Sequence, residues 1–471
     1  MLFRSQITGK ATRDGLFLSR FEIETLPKMV MLAAVVSFFA VLVMSRLITR
    51  FGPARVIPAA FGTSATIFVV IFFLDGLEPG AAAVILYLHM SVFGAVLISG
   101  FWSLITERFD PHTAKRHVAR IAAAATLGGV VGGLAAERLA GVVETRSMLL
   151  VLAMLHLGCT VSVLRIGGGG DQAGLRHSGA LPEFQQMIRR RYLIWMAALT
   201  VLMAIGAALL DYAFKAAVTA EVHDSEALVG LLARFYALVG LATFIVQSLL
   251  GPTMLKRFGI GVTLAILPAA ICAGGLFALL LPRTLSLVLL RGGQSVIWNS
   301  FFRSAFELLY TPLPVAAKRP TKAVIDVAAD RAGDLIGGAL TLGVIALAPF
   351  APVPTTIAAA VMVMAAGFAV VMVLHRGYVE QLEDSLREGA ISLSEDDILD
   401  ATTRQTFAET TAGGERAQLL ARIRAQRRAR HGADHRRADA APAQTAAPPA
   451  SAPELVAAVA ALGSGDPARI R

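Results

Sequence analysis

The chain has 471 residues, 56% of them hydrophobic and only 16% charged, with a mean hydropathy of +0.65. A soluble globular domain is roughly half apolar and a quarter charged, which excludes a soluble enzyme or a charged binding module as the bulk of this protein. In a soluble chain the net charge of +10 would point to nucleic acid. Among long apolar blocks it reads instead as the basic bias of cytoplasmic loops, and no nucleic-acid partner is expected.

Residues 1–26 are too polar for a secretory signal peptide, and their only apolar piece is GLFLSRF. From Pro27 onward apolar blocks follow at about 27–48, 56–76, 80–106, 118–140, 146–166, 192–216, 226–254, 260–282, 285–310, 322–348 and 354–375. Blocks of about 20 residues cross the hydrocarbon core as helices. They are continuous rather than alternating, which excludes a closed barrel, the other structure that satisfies every backbone group in lipid. The expected fold is an all-α membrane protein with about eleven transmembrane helices. Eleven is odd. A first span that is truncated, or that lies upstream, restores twelve with both ends on one side; a chain of eleven spans is the alternative. The seventh block, 226–254, carries Arg234 and Gln247 and is expected to lie buried among the others.

Basic residues cluster in alternate loops: Arg50 and Arg55, Lys115 and Arg116, Arg189 to Arg191, Lys256 and Arg257, Lys318 and Arg319. These loops are expected on the cytoplasmic side of a cell (inner) membrane, and the C-terminal tail falls on the same side. The loop IGGGGDQAGLRHSGALPEFQQMIRRR is Gly-rich and polar, as a flexible linker is. Across it the sequence repeats. Arg50-Phe51-Gly52 recurs as Arg257-Phe258-Gly259, Lys115-Arg116 as Lys318-Arg319, and Gly132-Gly133 as Gly337-Gly338, in order and at nearly constant spacing. Parallel repeats of six spans are the major-facilitator plan, with the solute site between two bundles. The organisation expected is an N-terminal helical bundle at 1–166, a cytoplasmic linker at 167–191, a C-terminal bundle at 192–378 and a tail at 379–471. The tail reads as charged amphipathic helix and then a Pro/Ala linker. It closes on ELVAAVAALGSGDPARIR, which has the pattern of an opening helical repeat and offers a surface to a protein partner.

Ionisable residues inside spans are costly and face a cavity or a partner. Asn299, Arg303 and Glu307 recur every four residues, so they share one helix face. Lys322, Asp326, Asp330 and Asp334 do the same on the next helix, with Arg331 beside them. Twelve helical residues cover about 18 Å, roughly half the bilayer core, so this stripe cannot face lipid. Two readings stand: a substrate or proton path at the seam, and a salt-bridge gate. Glu307, Lys322 and Asp326 suit the gate; Arg303, Asp330 and Arg331 lie deeper and suit the cavity. The counterpart in the first repeat is Trp102 and Glu107 at the inner end of one span, with Lys115 and Arg116 opening the next. The two basic residues read as a cytoplasmic gate. Trp102 is either a stacking surface for a flat ligand or a packing residue. Asp211 and Lys215 share a face and either pair or hold solute. His89 is expected to pack, and Arg291 to snorkel outward. Gly128, Gly129, Gly132, Gly133, Gly337 and Gly338 make small-residue faces for close helix contact. No Walker motif, HEXXH, GxSxG or CxxC occurs; no catalytic residue, metal or cofactor is expected.

Five strings resemble the nucleotide transporters of the ATP:ADP antiporter family, in its broader bacterial branch within the major facilitator superfamily. They are RDGLFLSRF at 13–21, FWSLITERFDPHTAKR at 101–116, LGGVVGG at 127–133, LLDYAFKA at 209–216, and FRSAFELLYTPLPVAAKRPTKAVIDVAADRAGDLIGG at 302–338. The resemblance implies exchange of nucleotides by alternating access, through a cavity whose basic residues offset phosphate charge. It implies a substrate or gate role for Glu107, Asp211, Lys215, Arg303, Lys322 and Arg331. The acidic Asp326, Asp330 and Asp334 depart from such a lining and call for Arg303, Lys322 and Arg331 as neutralising partners. The partners expected are the lipid bilayer and a small anionic solute, a nucleotide by the resemblance. A non-transporting membrane anchor or sensor for a cytoplasmic helical-repeat domain is the alternative.

Overall fold

A computed structural model describes residues 2–108, 111–167, 191–313, 321–322, 324–387 and 400–412; the side chains of 98–100, 102–123 and 407–412 and of a few residues elsewhere lie outside that description. Among the described residues all regular structure is helical. The long helices are α1 (Leu2–Leu18), α2 (Leu26–Phe51), α3 (Pro53–Asp75), α4 (Pro79–Arg108), α5 (Pro111–Ala140), α6 (Met148–Gly167), α7 (Arg191–Glu221), α8 (Ser225–Leu249) and α9 (Gly251–Leu280). Next, α10 (Thr284–Ile297) widens into a π turn at Trp298–Phe302 and continues as α11 (Arg303–Leu308). A second π turn at Val324–Ala329 opens α12 (Asp330–Leu347). The described residues end with α13 (Pro352–Arg387) and α14 (Ala401–Ala412).

Local sequence explains the boundaries. Proline sits in the first turn of α2, α3 and α9, where its missing N–H costs nothing. Asp224 caps α8 by accepting the Ala227 N–H at 2.8 Å, as a short acidic side chain does at a helix start. Seven of the described helices are long and apolar enough to cross a membrane. The other expected spans are helical too, as α4, α5 and the two passages with π turns.

Two findings go beyond the expectations. Residues 1–26 hold more than a short apolar piece, although their helix is not among the seven long and apolar enough to cross a membrane. Leu2–Leu18 is a helix, about 25 Å long at the standard rise. It packs against α4, α5, α6 and α8, and it buries Ser5, Gln6, Thr8, Thr12 and Asp14. Lipid hardly touches it, so nothing requires it to be apolar, and a hydropathy reading passes over it. The reverse holds for α8. Arg234 and Gln247 are exposed rather than buried, and the Arg234 guanidinium reaches back to Glu137 of α5, its Nε donating to Oε1 at 2.6 Å.

The apolar cores show how the helices group. The largest is drawn wholly from residues 192–382, including Met203, Leu264, Phe302 and Tyr378. Two smaller cores come wholly from residues 2–163. A fourth joins both sets: Ala11, Phe17, Met29 and Met148 pack with Phe214, Val229 and Phe235. It lies at the Leu18 end of α1, and it closes that end of the molecule with apolar contacts. The glycine faces work as expected. A Cβ on Gly132 would stand 2.5 Å from the Arg4 Cα, and one on Gly337 would stand 2.8 Å from the Ala208 Cβ, so only glycine permits these helix crossings.

Candidate functional site

Among the described residues a cluster of buried charges gathers where α1, α7, α8 and α10 meet. Asp14 of α1 has no exposed surface. Its Oδ1 accepts from Arg13 Nε at 2.8 Å. Its Oδ2 accepts from the Tyr236 hydroxyl at 2.8 Å and pairs with Lys215 Nζ at 3.1 Å. Lys215 also pairs with Asp211, one turn earlier on α7, at 2.8 Å. The other oxygen of Asp211 accepts from Arg291 Nη2 of α10 at 2.9 Å. Arg291 also donates to Gln294 and Ser295. The Arg13 guanidinium lies 4.6 Å from the centre of the Tyr87 ring and donates to Ser91 at 3.3 Å. An isolated buried charge is prohibitively costly, and only such multiple pairing makes it tolerable.

Lys10 stands one turn before Asp14 and is exposed, although Ala11, Thr12 and Asp14 beside it are buried. It lies within electrostatic reach of Asp14 and Asp211, but no described residue pairs with its ammonium. Around this point four cations, Lys10, Arg13, Lys215 and Arg291, meet two carboxylates, Asp14 and Asp211.

The stripe on α11 and α12 continues from that cluster. Asp334 lies within electrostatic reach of Asp211 and is held by Arg331 at 2.7 Å, which also reaches Asp330 at 3.3 Å. Arg303 is exposed, unpaired among the described residues, and within reach of Asp326 and Asp330. Asp326 accepts from the Tyr310 hydroxyl at 2.8 Å, and Lys322 pairs with Glu307 at 2.6 Å. Exposure climbs along this line: 0% at Asp14, 20% at Asp211, 25% at Asp334, 31% at Asp330 and 46% at both Glu307 and Lys322. Asn299, Arg303 and Glu307 are all exposed, so the four-residue spacing did place them on one face. Both π turns lie on this line, a common location for such turns at working sites.

Side-chain exposure among these ion pairs is thus greatest at Glu307 and Lys322 and least at Asp14, toward the Leu18 end of α1. There, beyond the fourth apolar core, Arg20 of the α1 end clasps Asp75 and donates to the Pro79 carbonyl at 2.7 Å. A polar cavity of about 410 Å³ is lined by Arg20 together with Glu144, Arg146 and His223 among others.

A family model described as Major Facilitator Superfamily matches residues 14–314. The chain belongs to that superfamily. It is a multi-pass membrane transporter and not an enzyme. Among solved structures it is similar to the nucleoside transporter NupG. The D323A mutant aligns with a TM-score of 0.56 at 16% identity, covering 81% of this chain and 98% of that one. A second NupG structure aligns with a TM-score of 0.56 at 13% identity, covering 80% and 97%. Identity this low establishes the fold alone. No curated protein sequence matches the chain.

Within this major-facilitator protein the expected site residues sort as follows. Asp211 and Lys215 do pair with each other, and with α1 and α10 as well. Arg303, Glu307, Lys322, Asp326, Asp330 and Arg331 share one line of charge. Trp102 and Glu107 lie on α4, and Lys115 and Arg116 on α5, with side chains outside the described residues. Arg291 does not snorkel outward; it turns inward because Asp211 offers it a partner. His89 packs as expected, bonded to Ser64 at 2.8 Å with its ring against Phe68 and Phe93. Sequence reasoning missed Lys10, Arg13, Asp14, Tyr87 and Tyr236. Arg13 and Asp14 open the string RDGLFLSRF, and two adjacent opposite charges before an apolar piece were the available signal.

Proposed function

We propose that this protein is a secondary transporter for nucleotides or a closely related anionic metabolite, exchanged by alternating access. The observation that carries the reading is the line of charge with a basic deep end. Lys10, Arg13, Lys215 and Arg291 outnumber Asp14 and Asp211, and Lys10 is left exposed with no described partner. A polyanion entering from the Glu307–Lys322 end meets Arg303 first and Lys10 last. Helices α1–α6 and α7–α13 act as two bundles that rock about the buried cluster. The Asp14–Lys215 pair ties one bundle to the other at the pivot. The basic loops put the open end on the cytoplasmic side. The similar fold of a nucleoside transporter is compatible with a base and ribose in the same cleft. The phosphate is what Lys10 and Arg303 add.

Uptake of labelled ATP and ADP into proteoliposomes holding the full chain tests this, with adenosine as the neutral comparison. ATP or ADP is expected to exchange, and Lys10→Gln to raise KM at least tenfold with an unchanged melting temperature. Flux of adenosine without flux of either nucleotide would remove the anionic reading. No flux of any of the three from a properly inserted protein would favour a membrane anchor or sensor.

A further inference from the structure

The repeated Arg-Phe-Gly strings end in two glycines with the same left-handed backbone, Gly52 at φ 77° and Gly259 at φ 71°. Their surroundings differ completely. A Cβ on Gly52 would meet nothing within 4 Å, whereas one on Gly259 would stand 2.2 Å from the Thr402 Oγ1. Thr402 belongs to α14, beyond the last membrane helix. Gly259 breaks α9, so the Ile260 N–H opens a fresh helical run and has no partner within that run. Thr402 supplies one, with its hydroxyl accepting the Ile260 N–H at 3.1 Å.

The contact continues onto α13. Asp400 caps α14, accepting the Thr403 N–H at 2.9 Å and the Thr403 hydroxyl at 2.6 Å. That hydroxyl has given its hydrogen to Asp400, so the Tyr378 hydroxyl of α13, at 2.8 Å, must donate to it. Asp400, Thr403 and Thr406 are buried. Further along α13, Ser385 donates to the Pro312 carbonyl at 2.8 Å, and Tyr192 of α7 donates to the Leu309 carbonyl at 2.6 Å. Those two carbonyls belong to the stretch that ends α11, the helix that carries Arg303 and Glu307.

We propose that the Gly259 turn and the Tyr378–Ser385 stretch of α13 form a docking surface whose occupant is the chain's own segment 400–406. The docked segment is a strap. It joins the break in α9 at Gly259 to the C-terminal part of α13, and through Ser385 and Pro312 it sets the position of α11 at the open mouth of the passage. Gly52 is the matching turn without a strap, which makes it a built-in control. The inference does not depend on which solute is carried.

The test compares Gly259→Ala with Gly52→Ala in the full-length chain. Both substitutions force a Cβ onto left-handed backbone, but only the first evicts Thr402. Hydrogen exchange is read by mass spectrometry at the amides of 400–406. The mouth is read by thiol labelling of Asn299→Cys in a background carrying Cys159→Ala and Cys272→Ala. Gly259→Ala is expected to speed exchange in 400–406 at least tenfold and to change the Asn299→Cys labelling rate at least threefold; Gly52→Ala changes neither. Equal effects of the two variants overturn the docking, and faster exchange with unaltered labelling overturns the strap. Should Gly259→Ala fail to fold, Thr402→Val serves instead. It keeps the side-chain volume, removes the acceptor for Ile260, and carries the same expected results.

Discussion

Asp14 has no exposed surface and is met by Arg13, Lys215 and Tyr236, whereas Glu307 is 46% exposed and, among the described residues, is paired with Lys322 alone. Both are carboxylates on one line of charge, and solvation explains the difference. Water stabilises Glu307 whether or not Lys322 is present. At Asp14 protein groups have replaced water, so every lone pair needs a fixed donor. The deep cluster is thus a structural tie whose removal should be felt everywhere. The outer pair is exposed, and its loss should be felt little.

The strongest way to break that contrast is Lys215→Met. It leaves Asp14 and Asp211 facing each other without the ammonium between them, and it should cost about 3–5 kcal/mol of stability. Thermal unfolding in detergent reads the loss, and adding Asp14→Asn should recover part of it by removing the repulsion. A Lys215→Met protein that melts with the wild type would mean that the cluster is wet and the contrast wrong. Tyr236→Phe is gentler. It deletes one hydrogen bond to a charged acceptor and should cost about 1.5–3 kcal/mol, with Arg13 and Lys215 still in place. Lys322→Met should cost no more than about 1 kcal/mol, since an exposed pair is screened by solvent. A larger drop in melting temperature would show that the mouth is more buried than its exposure indicates.

Much of the fold was legible because lipid imposes one demand wherever it touches the chain. The apolar blocks from Pro27 to His375 answer that demand, and each is helical where it is described. Helix α1 was not legible, because protein surrounds it and its Thr8 and Asp14 answer to neighbouring helices. The four-residue rhythm of Asn299, Arg303 and Glu307, and of Lys322, Asp326 and Asp330, was legible as two faces. Which end of those faces is deep was legible only in part, since depth depends on which helices stand opposite.

By itself, then, the order of residues determined a helical membrane protein with a repeat and a stripe of charge, because helix periodicity and hydropathy are local properties. Only the tertiary structure decided that Asp14 would meet Lys215, that Arg291 would turn toward Asp211, and that Thr402 would close over Gly259. Each of these contacts joins residues far apart in the chain, at least 80 positions in every case. Charges and orphan N–H groups taken out of water must find partners somewhere, and only the packed helices specify where.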